Sequence, residues 1–193
     1  MNAFDYALGL ISILVSLALA DIVISFHRLM RRARSIHWDG RVLVAAALVV
    51  LEIIRLWFAQ WTLRDSADAL TFSVYLGLFV QVMLLVLLAA AALPDEPDER
   101  FDLGTFYDAN RRYFWGVFAA YQLTYFLLWL FVFGGTQASN KAAAGPIDWL
   151  RLLVPLGLYL MLAIVRRRWL DYAVPLLIIG FYLARYWNQT LAA

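Results

Sequence analysis

Glu52 and Arg55 lie one helical turn apart inside an apolar run that is long enough to cross a membrane. A charged side chain near the centre of a bilayer is costly, so such residues usually serve a function or pair with one another. At a spacing of three residues, the two side chains share one face of a helix and can form an ion pair. The spacing therefore predicts a charged site at mid-membrane.

A third ionisable residue, Asp21, lies in the preceding apolar run. If the two runs form an antiparallel hairpin, Asp21 and Glu52 are equally far from its turn and lie at the same depth. With a rise of about 1.5 Å per residue, Glu52 lies roughly 15 Å from the start of its helix, close to the middle of a core about 30 Å thick. We expect Asp21, Glu52 and Arg55 to form one cluster, with Gln81 and Gln122 beside it.

This cluster has two interpretations that the sequence leaves open. Two carboxylates that share one guanidinium leave one negative charge, so the less well paired acid could bind and release protons or small ions. Alternatively, the charges neutralise one another and clamp the helices together. The polar Gln81 and Gln122, with Tyr121 and Tyr125 next to Gln122, either line a wet pathway or hydrogen-bond across helices, for about 1 kcal/mol each.

The composition is that of a membrane protein. Of the 193 residues, 64% are hydrophobic and 16% are charged, whereas soluble domains are roughly 45 to 50% apolar and about 25% charged. We expect an all-α fold, a polytopic transmembrane helical bundle that forms a single domain. Its predicted spans are about residues 6–26, 42–61, 69–93, 113–134, 149–165 and 170–187. Thr105 and Asp108 have the spacing of a capping box, which predicts that the fourth helix begins near Phe106.

Enzyme signatures are missing from the sequence. There is no cysteine, which excludes disulfides, thiolate nucleophiles and iron–sulfur clusters, and the two histidines leave little for a metal. The sequence also lacks a zinc-binding H-E-x-x-H, a phosphate-binding glycine loop and a G-x-S-x-G nucleophile elbow. We therefore predict no catalytic residue, no metal and no cofactor, and the sequence favours a role without catalysis.

Basic residues follow the ends of alternate spans, where they indicate topology and lipid contact. By the positive-inside rule, these loops are cytoplasmic, so both termini are predicted on the non-cytoplasmic side of the inner membrane. Because the basic residues lie beside membrane segments, they favour anionic lipid over nucleic acid. The predicted headgroup contacts are His27, Arg28, Arg31, Arg32, Arg166, Arg167 and Arg168. Most tryptophans, Trp115 among them, fall near span ends and are predicted to be interfacial anchors.

The run ISILVSLALADIVISFHRLMRR, residues 11–32, resembles small multi-pass bacterial inner-membrane proteins of unassigned function. The resemblance implies the same multi-pass topology and no particular activity. Within this run, Ser12, Ser16 and Ala20 form a stripe of small residues that lets another helix approach closely. We expect the stripe to make an intramolecular contact, or a contact in a homo-oligomer or with a membrane partner protein.

Three functions remain open at this point. The charged cluster favours a small channel or transporter for protons or small ions. The alternative is a scaffold or accessory subunit in which the cluster is a structural clamp, and a third possibility is a lipid-modifying or quinone-interacting enzyme. Neutralising Glu52 separates the first two, because a conducting site predicts lost flux in a folded protein and a clamp predicts lost stability.

Overall fold

The computed structural model describes residues 3–62, 71–95, 101–136 and 146–187, and these residues form six helices. The helices are α1 (Ala3–Arg31), α2 (Gly40–Thr62), α3 (Phe72–Ala92), α4 (Leu103–Thr136), α5 (Pro146–Ile164) and α6 (Arg168–Tyr186). A two-residue parallel pairing of β1 (Ile36–His37) with β2 (Phe101–Asp102) joins the loop after α1 to the start of α4. The all-α prediction is confirmed.

Three of the helices are long and apolar enough to cross a membrane. They are the segments Gly9–Arg31, Gly40–Ala59 and Phe72–Ala92, whose length and composition support a membrane location. The segment Leu153–Ile164 of α5 is apolar but shorter. The first three predicted spans are therefore supported, whereas the fourth to sixth are helices whose membrane crossing stays a prediction.

Helix α2 has the most helical neighbours in the bundle. It packs against α1, α3, α4 and α6, while α1 packs mainly on α3, and α4 packs on both α3 and α5. Ala45 and Ala46 are buried on α2, and these small side chains let adjacent helices approach. Glu52 and Arg55 lie on the buried face of α2, so they face protein and not lipid.

The starts of α2, α4 and α6 meet at one end of the bundle. Arg41 at the start of α2 forms ion pairs with Asp108 of α4 and Asp171 of α6. The end of α1 meets the end of α3, since Arg28 donates to the carbonyl of Asp95. We call this end the arginine-rich end, and the end where α2 and α6 finish the opposite end.

The start of α4 differs from the prediction. Asp102 caps the helix, because its Oδ1 accepts hydrogen bonds from the backbone N–H groups of Gly104 at 2.7 Å and Thr105 at 3.1 Å. The predicted capping box of Thr105 and Asp108 is therefore wrong. Asp108 instead forms an ion pair with Arg41, which is 67 positions away in the chain.

Trp115 also differs from the prediction. It is fully buried at 0% exposure, and its Nε1 donates to the hydroxyl of Tyr107 at 2.9 Å. The interpretation of Trp115 as an interfacial anchor is wrong, because its ring lies in the protein core. Trp57, Trp169 and Trp187 are exposed, as an anchoring role requires.

Candidate functional site

The ion pair expected from the spacing of Glu52 and Arg55 is present. Arg55 Nε donates to Glu52 Oε2 at 2.7 Å, and the two residues are only 8% and 0% exposed. Tyr121 of α4 completes the contact, because its hydroxyl lies 3.4 Å from Arg55 Nη2 and 3.5 Å from Glu52 Oε2. The pair therefore joins α2 to α4.

Aromatic rings enclose the guanidinium of Arg55. It lies 4.7 Å from the ring centre of Tyr125 on α4 and 5.4 Å from that of Tyr182 on α6. A cation over an aromatic face is attracted by the ring, by about 2 kcal/mol or more where water is excluded. Arg55 thus holds three helices together in addition to pairing with Glu52.

The carboxylate of Glu52 is only half paired. Its Oε2 accepts from Arg55 and Tyr121, whereas Oε1 is buried with no hydrogen bond within 3.5 Å among the described residues, although the Tyr182 hydroxyl also interacts with this carboxylate. The hydroxyl of Tyr159 is likewise buried without such a partner, and Glu52 is the charged group that acts on it most strongly. A buried carboxylate oxygen without a donor is unfavourable, and it offers a site for a proton or a small cation. A bound proton would at the same time remove the charge that pairs with Arg55.

A cavity of about 430 Å³ reaches Arg55 from the opposite end of the bundle. Its walls are aromatic and apolar, and we call it the aromatic cavity. Its lining residues are Leu51, Ile54, Arg55, Phe58, Ala59, Tyr125, Tyr182, Leu183, Tyr186 and Trp187. This volume is within the range of pockets that hold small ligands. Glu52 lies behind Arg55 and is not part of the wall.

Asp21 lies elsewhere in the bundle. The charged groups that act on it are Asp95 and Arg28, not Glu52 or Arg55. One turn further along α1, Ser25 Oγ donates to Asp95 Oδ1 at 3.3 Å. The reason is that α1 packs mainly on α3, which rotates Asp21 away from the charged pair on α2.

Gln81 and Gln122, the two amides predicted beside the cluster, are both buried, at 1% and 3% exposure. Gln81 lies on α3 and its Nε2 has no hydrogen-bond partner among the described residues. Gln122 lies on α4 directly after Tyr121, and Tyr121 is the side chain that reaches the Glu52–Arg55 pair. Burial of both amides agrees with polar groups inside a helical bundle, and their role in transport stays a prediction.

A second charged cluster at the arginine-rich end was missed from the sequence. Arg41 is only 3% exposed and pairs with Asp39 at 2.7 Å, Asp108 at 2.9 Å and Asp171 at 3.9 Å. Arg111 of α4 pairs with Asp171 at 3.1 Å and donates to the carbonyl of Val165. We call these residues the arginine cluster, defined as Asp39, Arg41, Asp108, Arg111 and Asp171.

A positional signal for the arginine cluster exists in the sequence. Arg41, Asp108 and Asp171 all lie at or near the start of a helix, on the side of the membrane where the basic loops were predicted. Ionisable residues at three helix starts on one side of a bundle can meet. The sequence does not show which of them do so.

The arginine cluster predicts a pH dependence of stability. The hydrogen bonds from the Arg41 side chain hold the pKa of Asp39 below its usual value of 3.8, although burial opposes this, and the Tyr172 hydroxyl lowers it further. A carboxylate with a lowered pKa stabilises the folded state above its unfolded pKa, and the contribution is lost as the pH falls through the folded pKa.

We therefore expect the melting temperature of Asp39→Asn to lie below that of the wild type at pH 7, with the difference closing as the pH falls below 3.8. Thermal unfolding of both proteins in detergent across this range measures the effect. A difference that stays constant down to about pH 3 would show that the charge of Asp39 does not contribute.

A smaller cavity of about 240 Å³ lies at the arginine-rich end, and we call it the arginine cavity. Its lining residues are Arg41, Asp108, Arg111, Arg166, Arg167, Arg168 and Asp171. Three of the predicted lipid contacts, Arg166 to Arg168, are therefore exposed residues of its wall. The other predicted contacts, His27, Arg28, Arg31 and Arg32, are exposed at the same end of α1. Lipid contact by either group stays a prediction.

An aromatic layer lies between α4 and α5, at a level along α4 between the two cavities. Along α4, Trp115 and Phe118 lie between Arg111 at the arginine cavity and Tyr125 at the aromatic cavity. Their rings pack on Tyr159 of α5, with ring centres 5.9 Å and 4.5 Å from it, and all three side chains are 0% exposed. These buried rings fill the space between α4 and α5 at this level of the bundle.

No protein-family model, curated protein or solved structure matches this chain. Among the described residues, no group of three or more metal-ligating side chains could hold a metal ion. Function must therefore be inferred from the charged pair, the two cavities and the aromatic layer.

Proposed function

We propose that this protein is a six-span inner-membrane protein that carries protons or another small cation across the bilayer through the Glu52 site. The observation that carries the proposal is the half-paired carboxylate of Glu52, which is fully buried at mid-helix behind the wall of the aromatic cavity. Intramembrane carboxylates of this kind are typical of proton relays and ion pathways. The arginine-rich end is cytoplasmic in this proposal, and both termini are non-cytoplasmic.

The arrangement supports access to Glu52 from one side at a time. Arg41 and Arg55 are fourteen residues apart on α2, which is about 21 Å of helix. The arginine cavity therefore lies near one face of the membrane, and the aromatic cavity extends from just past the middle towards the other face. Glu52 would exchange its proton with the aromatic cavity in the present conformation. Release towards the arginine-rich end would require the layer of Trp115, Phe118 and Tyr159 to rearrange.

A scaffold function is the second candidate, and the surroundings of Arg55 favour it. The guanidinium pairs within α2 and lies over tyrosine rings of α4 and α6, so it contributes to holding the bundle together. A site that serves only this purpose needs no proton exchange.

Flux in proteoliposomes tests the transport proposal. We expect wild-type protein to dissipate an imposed pH gradient, and Glu52→Gln to reduce the flux to that of protein-free liposomes, because the glutamine amide cannot take up a proton. Asp21→Asn is the matched control, since it neutralises an acid in another candidate span, away from the charged pair. This control is expected to keep wild-type flux.

Each variant must first be shown to be folded and inserted, by gel filtration and by thermal unfolding. Equal flux in wild type and Glu52→Gln would exclude Glu52 as the carrier. Absence of flux in the wild type under gradients of protons, sodium and potassium would favour the scaffold function.

A further inference from the structure

The arginine cavity lies at the arginine-rich end, away from the Glu52 site. It lies between the first turns of α2 and α6 and the second and third turns of α4, beside residues 165–167, which connect α5 to α6. Exposed apolar side chains flank this connection, with Ile164 at 74% and Trp169 at 60% exposure. The cavity therefore lies where an apolar surface gives way to a basic one, which is the level of lipid phosphates in a bilayer.

The charge around this cavity is unbalanced. Five arginines, Arg41, Arg111 and Arg166 to Arg168, face three carboxylates, those of Asp39, Asp108 and Asp171. The carboxylates pair with Arg41 and Arg111, while Arg166 to Arg168 form no ion pair with a described residue. The residues that line the cavity therefore carry a net positive charge, which suits an anion.

One buried group at the cavity has an unused donor. Arg111 is only 4% exposed, and its Nη1 is buried without a hydrogen-bond partner among the described residues. Its other nitrogens donate to Asp171 and to the carbonyl of Val165, which fixes the guanidinium at the cavity wall. A guanidinium matches the geometry of phosphate oxygens, and an unpaired buried N–H favours an acceptor there.

The start of α6 adds to this preference. Its N-cap residue, Arg167, makes no side-chain capping hydrogen bond. Backbone N–H groups in the first turn of a helix attract anions, and this helix has 19 residues. Asp171 in the same turn offsets part of the dipole, but it is already paired with Arg111.

We propose that the arginine cavity binds a phosphate group, supplied either by the headgroup of an anionic phospholipid or by free phosphate. The side chains of Arg166 to Arg168 are the donors that reach the phosphate, and the guanidinium of Arg111 in the wall adds positive charge. A volume of about 240 Å³ holds a phosphate and the first atoms attached to it, so the acyl chains of a bound lipid would lie outside, along the exposed side chains of Ile164 and Trp169.

Binding is tested by the melting temperature of the full-length protein. Two probes are used: sodium phosphate with protein in uncharged detergent, and phosphatidylglycerol added to phosphatidylcholine nanodiscs. The variant Arg166→Gln/Arg167→Gln/Arg168→Gln changes exposed side chains only. The matched control Arg31→Gln/Arg32→Gln/Arg34→Gln also removes three exposed arginines near the same end, at residues that do not line the cavity.

We expect at least one probe to raise the melting temperature of the wild type and of the control variant. The cavity variant should need about tenfold more of that probe for the same shift, because charge-assisted hydrogen bonds to phosphate are lost. A response to phosphatidylglycerol alone identifies the lipid headgroup as the source, and a response to sodium phosphate identifies free phosphate. No response in the wild type, or an equal loss of response in both variants, would overturn the proposal.

Discussion

Replacing Glu52 with glutamine is expected to lower the free energy of unfolding by about 3–5 kcal/mol, because it leaves a buried guanidinium without its counter-charge. Arg55 is 8% exposed and has Glu52 as its ion-pair partner. The two tyrosine rings over the guanidinium offset part of the loss, since their attraction for the cation does not depend on Glu52. Denaturant or thermal unfolding in detergent measures the effect.

The double variant Glu52→Gln/Arg55→Met is expected to recover most of this stability. Removing both charges eliminates the unpaired ion, and replacing a buried pair by groups of similar volume is often neutral. Asp21→Asn serves again as the matched control, with a small effect expected because Asp21 is only partly buried. If the single and double variants were equally destabilised, the loss would come from packing and not from an unpaired charge.

The same double variant shows whether a loss of flux comes from the missing carboxylate or from a loss of stability. A folded protein with neither charge should give no flux in proteoliposomes, because the carboxylate that is proposed to carry the proton is absent. If it still carried protons like the wild type, the pathway would not pass through Glu52 and the pair would be a clamp. The unpaired Oε1 of Glu52 favours the first outcome.

The sequence predicts the charged pair well because its geometry is local. Glu52 and Arg55 are three positions apart on one helix, so helical periodicity alone places them together. The same periodicity could not place Asp21. Equal distance from a turn predicts the depth of a residue in a hairpin. The face that α1 turns towards α2 depends on its packing against α3, and the spacing of residues within α1 does not predict that packing.

Contacts between distant segments are the part that the sequence does not predict. Arg41 meets Asp108 and Asp171 across three helices, and these pairs depend on how the helix starts are arranged around one another. Trp115 is a second example. Its position near a predicted span end indicated an anchor at the membrane interface, but contacts with other helices bury it in the core. The all-α class depended only on composition and run length, and it was predicted from the sequence.

Replacing Arg41 with methionine is expected to destabilise the protein by about 3–5 kcal/mol, because it removes the cation shared by carboxylates of three segments. The side chain of Arg41 is 3% exposed, and it holds Asp39 before α2, Asp108 on α4 and Asp171 on α6. Without it, Asp171 keeps Arg111, but Asp39 loses its cation.

The comparison variants for Arg41 have distinct expected effects. Asp108→Asn should cost at most about 1 kcal/mol, because the side chain of Asp108 is 56% exposed and water can replace its partner. Arg41→Lys should lose less stability than Arg41→Met and more than Asp108→Asn. A single ammonium keeps the charge, but it cannot present the planar fork that meets Asp39 and Asp108 together. Unfolding of the three variants in the same detergent tests this order. If Arg41→Lys were as stable as the wild type, the positive charge alone would hold the helix starts together. We expect instead that the hydrogen bonds of the guanidinium are also needed, because they reach Asp39 and Asp108 at the same time.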